Sequence, residues 1–378
     1  MKIGKLALPL AVATVTNAYA VTLYEDPETH QVFTKEAPGL VKLEDTPVQS
    51  KAVMLKFNGV HYVGFVSAKE DGGDRTSRFE TRRNYLQVKA YLNKHDFFRL
   101  TLDSFQETKG DNKDKGSWLT RVKYAYLYLD EILPYTGIEF GQVHRPWIDY
   151  EEQHGWLYRP ISNVWIEDGS GAHLINSADM GINFKTKVPY FSSEIGLFNG
   201  EGYHAIENGE GLSAEARLTL HALRTGATKV KVNKHQYFDI SYFGVKSLED
   251  NKRGNSDFMM NGIHAVYNAP AFLIAGQYVK ADNGDNNVYD GNGYSLNAEI
   301  RPFEKLWWFG RYDDWDQNDT MSNNGGDRRQ YIFGSMYHYN KNVKFIANIT
   351  SVDFDEDDAL NAAEKDSIDL MFTAEVKW

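Results

Sequence analysis

Serine, histidine and aspartate are the residue types that could give this 378-residue chain nucleophilic chemistry, because it contains no cysteine. Ser193, His221 and Asp239 could be combined into a nucleophile, a general base and an orienting acid. Their spacing does not require that combination, because such triads are recognised by geometry and occur in several sequence orders. We therefore favour the interpretation that they are ordinary polar side chains, and we expect no enzymatic activity.

Metal binding is the second chemistry that the residue types allow. His144 and His154 lack the i, i+4 spacing that places two ligands on one face of a helix. An acidic run near the C-terminus offers carboxylate oxygens, but it lacks the glycine hinge and spaced ligands of an EF-hand loop. This run comprises Asp353, Asp355, Glu356, Asp357 and Asp358. We expect a solvated acidic loop that could recruit divalent ions between lipid phosphates, with no metal centre and no cofactor in the protein.

The other chemically interesting residues are charged side chains at every second position of strand-like segments. Leu100 and Leu102, for example, alternate with Arg99 and Asp103, which is the period of a strand with one apolar and one polar face. On this alternation the polar face carries two sets, the basic Arg83, Lys89, Arg99, Arg121 and Lys123 and the acidic Asp103, Glu194, Glu215, Asp239, Glu299, Asp369 and Glu375. We expect these residues to line the interior of the fold.

Sixteen segments of this kind lie between residues 52 and 378, joined by links that are short and long in turn. The one exception is the link 223–235, which is long where a short one is expected. An even number of strands with alternating short turns and long loops predicts an all-β, antiparallel transmembrane β-barrel. Strands can cross lipid only as a closed ring, because every backbone polar group needs a partner there. A soluble β-sandwich is the alternative, but it does not predict the exchange of short and long links.

The aromatic content supports the same fold. The chain contains 23 tyrosines, 21 phenylalanines and 8 tryptophans, and aromatic side chains concentrate at the two membrane interfaces of such barrels. Two sets of alternating rings are predicted to form such a girdle, Tyr124, Tyr126 and Tyr128 in one segment and Tyr331, Phe333 and Tyr337 in another. The last segment ends on Trp378, and a terminal aromatic on an amphipathic strand is expected to act as an assembly signal.

The N-terminus predicts export. Residues 1–20 have a positive start at Lys2 and Lys5, a short apolar run and a small-residue cleavage site ending at Ala20, which together indicate a signal peptide. Residues 21–50 do not have the barrel pattern and are expected to form a small periplasmic hairpin, with a pore plug as the alternative. The barrel is then expected to span residues 51–378. The formal net charge of −11 argues against a nucleic-acid partner.

The third and longest long link, residues 145–178, is predicted to fold into the barrel and narrow it. Large rings are interleaved there with charges, and such rings gain stability when they leave water. The candidate constriction residues are Trp147, Asp149, Tyr150, Glu151, Glu152, Trp156 and Arg159. Two alternatives remain open: the loop could cover a contact between subunits, or its rings could stack on sugars. Acidic groups on the loop would face the basic wall, and we expect the resulting transverse field to give weak ion selectivity.

Four sequence segments, in this order, resemble the phosphate-selective porin O and P family. They are Phe79–Arg83, Ile138–Gln142, Gly196–Gly202 and Phe309–Asp313. The resemblance implies a sixteen-stranded homotrimeric porin with an inward-folded third loop. It also implies a place in the outer membrane of a Gram-negative bacterium, among lipid and lipopolysaccharide. We expect passive diffusion of small hydrophilic solutes and ions, with a phosphate, anion or saccharide channel as the first alternative and a barrel enzyme as the second.

Overall fold

The structure is a computed structural model that describes residues 24–25, 32–33, 35, 37–38, 41–42, 53–107, 115–203, 205, 211–248, 258–282, 290–317, 327–354 and 365–378. The predicted signal peptide and residues 355–358 of the acidic run lie outside these residues. The chain divides into two units, Met1–Ala52 and Val53–Trp378, and each is described by itself.

The described part of the first unit contains three short strands. They are β1 (Tyr24–Glu25), β2 (Val32–Phe33) and β3 (Val41–Lys42). β1 pairs antiparallel with both neighbours, so that the order in this small sheet is β2-β1-β3. A periplasmic position for this segment remains a prediction.

The second unit is a closed barrel of sixteen antiparallel strands. The strands are β4 (Met54–Glu70), β5 (Thr76–Tyr91), β6 (Phe97–Gln106), β7 (Trp118–Leu133), β8 (Thr136–His144), β9 (Ala178–Val188), β10 (Phe191–Phe198), β11 (Ser213–His221), β12 (Tyr237–Ser247), β13 (Met259–Ala269), β14 (Phe272–Asp282), β15 (Gly291–Ile300), β16 (Leu306–Gln317), β17 (Arg328–His338), β18 (Val343–Phe354) and β19 (Ser367–Lys377). Each strand pairs with its neighbours in sequence, and β19 pairs with β4. The predicted sixteen-stranded barrel is therefore confirmed.

The two faces of the barrel wall have opposite chemistry to those of a soluble barrel. Ile263, Leu296 and Phe333 point outward and are 60%, 52% and 66% exposed, whereas their neighbours His264 and Asn297 point inward and are buried. Because an apolar outer face and a polar inner face suit a wall between lipid and water, the barrel has the surface of a transmembrane protein. Among the described residues, no helix is long and apolar enough to cross a bilayer.

A β-bulge between β6 and β7 changes which side chains point inward. Thr101 pairs with Tyr124, but the next residue, Leu102, pairs with Val122, so that Lys123 is an extra residue. Both Lys123 and Tyr124 are consequently buried. From Tyr124 onward the strand has the opposite phase to the one that strict alternation predicts.

The predicted girdle of Tyr124, Tyr126 and Tyr128 is therefore wrong. The rings of Tyr124 and Tyr126 lie inside the barrel, where the Tyr124 ring stacks on His144 at a centroid distance of 3.9 Å. The second predicted set is on the outer face, with Tyr331 and Tyr337 exposed beside lipid-facing neighbours.

The third long loop enters the barrel as predicted. It begins with helix α1 (Pro146–His154), whose first residue is a proline, a residue with a backbone angle suited to the first helical position. Its rings pack on the inner wall of β12 and β16. Trp147 stacks on Phe243 with ring centroids 3.9 Å apart, and Tyr158 stacks on Phe309 at 3.6 Å. The loop therefore covers one side of the interior.

The barrel closes at Trp378. Its backbone exchanges hydrogen bonds with Gly59, at N···O distances of 2.9 and 3.2 Å. Its indole Nε1 donates to His61 at 3.2 Å, and a side chain at Gly59 would collide with the indole ring. The glycine and the terminal ring therefore fit one another at the seam between β4 and β19.

We predict that deletion of Trp378 lowers the amount of folded protein in the outer membrane, because both the terminal aromatic and its seam contacts are lost. The measurement is the heat-modifiable band on a gel of outer-membrane fractions. Trp378→Phe, which keeps a terminal aromatic, serves as the matched control and should retain most of the folded protein. Equal amounts of folded protein in the deletion and the wild type would contradict the prediction.

Candidate functional site

The third loop is fixed to the barrel wall at its start by a buried ion pair. Arg145 Nε donates to Glu215 of β11 at 3.0 Å, and both side chains are almost fully buried. Further along, the Tyr150 hydroxyl donates to Asp239 of β12 at 2.7 Å. Because a buried charge is tolerated when it is paired and hydrogen-bonded, these inward acids have a structural partner in the loop.

Three more contacts hold the rest of the loop. The Tyr158 hydroxyl donates to Glu299 of β15. Arg311 of β16 binds the Asn163 carbonyl at 2.7 Å and the Asp168 carboxylate at 3.1 Å. The loop is therefore clamped from β11 to β16, and it forms a fixed part of the lumen wall.

Glu151 is a buried acid at the contact between α1 and β14. Gln277 donates to its Oε1 at 2.5 Å, while its Oε2 is buried without a hydrogen-bond partner. Burial raises the pKa of Glu151 to about 8, against the lowering effect of the Arg311 charge. The side chain is therefore protonated at neutral pH and adds no charge to the lumen, in contrast to the expectation from the sequence.

The other two acids of α1 have basic partners. Asp149 lies 3.2 Å from His144 Nδ1 and 4.0 Å from Lys185 Nζ. Burial would raise the pKa of Asp149, but its neighbours His144, Lys185 and Arg99 hold it below its usual range. Glu152 forms an ion pair with Arg159. The loop therefore contributes little unpaired negative charge to the pore.

Arg159 is the cationic centre of the loop. It also pairs with Glu167. Burial would raise the pKa of Glu167, but the charges of Arg159 and Lys123 lower it to about 2. Lys123 Nζ itself donates to Ser177 Oγ at 2.6 Å. The loop and the wall of β7 are thus joined through a network of hydrogen bonds.

Four of the five predicted basic residues form no ion pair within 4.0 Å among the described residues. They are Arg83, Lys89, Arg99 and Lys123, and aromatic rings support them instead. The guanidinium of Arg83 lies 4.5 Å from the ring centroid of Tyr85, and the ammonium of Lys89 lies 4.1 Å from that of Phe97. A ring attracts a cation through its quadrupole without cancelling its charge.

Arg99 has the same kind of support. Its guanidinium lies 4.5 Å from the Tyr124 ring centroid, and it hydrogen-bonds to His144 Nε2 at 2.7 Å. The fifth residue, Arg121, differs because it forms an ion pair with Asp103 at 3.0 Å. The structure brings all five together on three neighbouring strands, β5 to β7.

The predicted acidic residues are mostly paired. Glu299 accepts a hydrogen bond from Arg301 at 2.5 Å, and Glu375 accepts from Lys344 and Lys377 at 3.1 and 3.0 Å. Asp369 is different, because it lines a cavity of about 290 Å³ together with Arg83 and residues of the third loop. The acids on the far wall are therefore largely compensated, whereas four of the five predicted cations of β5 to β7 form no ion pair in the described part of the chain.

The nominated serine of the triad is wrong, although the geometry of a triad exists. Ser193 is buried, but it shares the strand face of the exposed Ile195 and so does not reach His221. Its neighbour Ser192 does, with its Oγ 2.8 Å from His221 Nε2, and His221 Nδ1 lies 2.8 Å from Asp239. All three members are at least 95% buried, and Asp239 also binds Tyr150 of the loop. The three residues therefore anchor the third loop to the wall, through the hydrogen bond between Asp239 and Tyr150.

Sequence reasoning missed the aromatic support and several inward cations, among them Arg145, Arg311 and Lys185. Tyr62, Tyr85 and Tyr124 hold the basic side chains, but only the bulge reveals that Tyr124 points inward. Lys185 of β9 pairs with Glu139 and Glu194 at 3.4 and 3.3 Å. The alternation of β9 could have identified this lysine as an inward residue, since Asn183 and Lys185 share one face.

Comparison with known proteins finds similarity in structure alone. No family model and no curated protein matches the sequence. Among solved structures, the anion-selective porin from Comamonas acidovorans aligns with a TM-score of 0.63 and 13% identity, covering 86% of this chain and 99% of that one. Salmonella typhi OmpF, in complex with daunomycin, aligns at 0.60 with 16% identity, covering 86% and 98%. OprB of Pseudomonas putida aligns at 0.60 with 13% identity, covering 86% and 94%. The fold is thus the porin-type barrel.

We predict that Glu151→Gln flattens the dependence of stability on pH. The pKa of Glu151 is raised in the folded protein. The stability that this side chain contributes is therefore fully present below its unfolded pKa of 4.5, and it is lost as the pH rises through about 8. The variant should be more resistant than the wild type at pH 9, by on the order of a few kcal/mol, and similar to it at pH 4. The measurement is the midpoint of heat modification at each pH.

A surface variant provides the control for this measurement. Glu304→Gln changes an exposed acid in a short turn, and it should leave the pH profile as it is. If Glu151→Gln and the wild type lose stability equally between pH 5 and pH 9, the assignment of a protonated Glu151 is contradicted.

Proposed function

We propose that the chain is an outer-membrane porin, a water-filled channel for passive diffusion of small hydrophilic solutes and ions. The observation that carries this proposal is the closed sixteen-stranded barrel with an apolar outer face and a polar interior. The third loop is clamped to one side of that interior, which leaves a polar passage along the opposite wall. A constriction lined with charges is the usual basis of selectivity in such channels.

The proposed path runs between the third loop and the wall of β5 to β8. Arg83 and Asp369 line the cavity of about 290 Å³ at this place, with Arg159 on the side of the loop. We propose the same role for the remaining predicted lining residues. These are Lys89, Arg99, Asp103, Arg121 and Glu375. Lys123 and Glu299 instead hold the loop through Ser177 and Tyr158, and Trp147, Asp149, Tyr150, Glu151, Glu152 and Trp156 shape it.

We further propose a mild preference for anions. Arg83, Lys89 and Arg99 are supported by rings and form no ion pair in the described part of the chain, whereas Arg145, Arg217, Arg301 and Arg311 are paired with carboxylates. A narrow passage with one uncompensated sign of charge concentrates ions of the opposite sign. The solved porin from Comamonas acidovorans is called anion-selective, which fits this reading. A more specific membership in the phosphate-selective O and P family rests on the sequence resemblance.

The saccharide alternative has less support. Stacking on a sugar requires rings that face the aqueous path. Trp147, Trp156 and Trp165 are at most 2% exposed and pack on the barrel wall or within the loop. These rings therefore fix the loop, and they are not free to bind a solute.

The proposal includes no enzymatic activity. Ser192 and His221 are both 4% exposed, and Arg217 donates to Ser192 Oγ at 3.0 Å. A substrate carbonyl has no open approach to a hydroxyl enclosed in this way. The Ser-His-Asp geometry is better explained as a buried hydrogen-bond network, which stabilises a core only when its members are satisfied.

Assembly and location complete the proposal. The sequence resemblance supports a homotrimer in the outer membrane of a Gram-negative bacterium, surrounded by lipid and lipopolysaccharide. The pattern of residues 1–20 supports export with cleavage after Ala20. Residues 21–50 would then lie in the periplasm, before the barrel of residues 51–378.

The experiment that tests the function is conductance in a planar lipid bilayer. Purified protein should produce stepwise increases in ion current, because each inserted barrel adds one water-filled path. A protein that is folded by heat modification but gives no current steps would contradict the porin assignment. It would then favour a closed structural barrel or an enzyme.

We predict that Arg99→Gln combined with Arg121→Gln shifts the channel toward cations. The first change removes a ring-supported charge, and the second leaves Asp103 without its partner. The shift should shrink at high salt, because the Debye length falls to about 3 Å at 1 M. Reversal potentials across a salt gradient measure the permeability ratio.

The control for this variant replaces two exposed lysines in short turns. Lys94→Gln with Lys341→Gln makes the same change in net charge away from the proposed path. It should leave the permeability ratio unaltered. An unchanged ratio in the arginine variant as well would mean that Arg99 and Arg121 do not face the permeating ions.

A further inference from the structure

The link between β11 and β12 is unlike the other short-turn links. It spans residues 222–236, whereas the neighbouring links at the same end are tight turns such as 189–190 and 270–271. Short turns mark the periplasmic end of outer-membrane barrels. This link therefore places extra chain at the periplasmic mouth.

The link folds inward under the third loop. Val230 and Val232 pack on the buried inner-wall residues Tyr237 and Leu273, and Leu157 of the third loop joins the same cluster. Apolar side chains at an aqueous mouth gain stability by this burial. The segment therefore lies against the inner wall of β12 to β14, where it narrows the opening.

Hydrogen bonds from the wall hold the segment in this position. The Val232 carbonyl accepts from Asn268 Nδ2 at 2.9 Å and from an Arg301 guanidinium nitrogen at 3.0 Å. Asn268 also binds the His235 carbonyl at 2.7 Å, and Arg301 binds Asn268 Oδ1 at 2.9 Å. Asn268 and Arg301 are both buried. The inward fold is thus built into the wall.

The lysines of this segment lie on the side opposite to the valines, away from the barrel wall. Lys229 and Lys231 alternate with the two valines, and Lys234 follows; all three are exposed. None of the three forms an ion pair within the described part of the chain. The valines pack on the barrel wall, so the three exposed lysines present their positive charges to the water at the mouth of the channel.

We propose that residues 222–236 form a second constriction element, at the periplasmic mouth, and that Lys229, Lys231 and Lys234 form a cationic exit for small anions. The inference rests on the proposed porin function. It gives that channel a second selective region beyond the ring-supported cations of β5 to β7. Charges of one sign at a narrow opening raise the local concentration of counter-ions, and exposed charges do so most strongly at low salt.

The test compares two triple variants in planar bilayers under a salt gradient. Lys229→Gln, Lys231→Gln and Lys234→Gln together should lower the anion-to-cation permeability ratio about twofold at 0.1 M salt. The effect should disappear at 1 M salt. The control combines Lys94→Gln, Lys305→Gln and Lys341→Gln, which removes the same charge from exposed lysines of other short turns, and it should match the wild type.

A second measurement uses the absence of cysteine in the native chain. Lys231→Cys supplies a single thiol, and a sulfonate-bearing thiol reagent is added to each side of the bilayer in turn. We expect modification to lower the single-channel conductance, because the added group lies in the narrowed mouth. Lys341→Cys should give no such loss after the same treatment.

The outcomes separate this inference from the porin function. If the wild type conducts but both triple variants behave alike and modified Lys231→Cys keeps its full conductance, the cationic exit is wrong and the porin function stands. If the folded wild type gives no current, both proposals fail together.

Discussion

The pairing of backbone polar groups in lipid is the constraint on which the rest of this structure depends. An N–H or C=O group without a partner is costly inside a bilayer, so the sheet closes on itself through β19 and β4. Closure encloses a space too wide for the wall's own side chains to fill. The third loop takes up part of that space, and the polar passage is what it leaves open.

The loop also divides the inner wall into two chemical halves. Where it packs, the wall carries rings such as Phe243 and Phe309, together with acids that accept hydrogen bonds from loop residues. On the strands where the proposed path runs, Arg83 and Arg99 rest on tyrosine rings. One half of the wall therefore stabilises the loop, and the other half keeps charged side chains for the proposed passage of ions.

Strand periodicity predicted most of this fold, because lipid on one side and water on the other impose a strict alternation. β8 and β10 occur at their predicted bounds, 136–144 and 191–198. The failures arise where alternation breaks or carries no information. The bulge at Lys123 reversed the phase of Tyr124, and strand phase alone separates Ser192 from Ser193.

The site was harder to predict than the fold, because the pairing of its charges depends on which loop atoms meet the wall. The link 223–235 was recognisably too long, but its length does not reveal that Val230 and Val232 turn inward.

The seam at Trp378 has a consequence for how the barrel is made. His61 and Trp378, which are in contact there, are separated by 317 positions in sequence. Contacts at such separation form slowly, since a long loop must close before they stabilise anything. Until β19 reaches β4, the sheet has two open edges, and open edges pair readily with other chains. The unclosed chain must therefore be kept apart from its copies, and the pairing of its final strand sets the moment at which that protection can end.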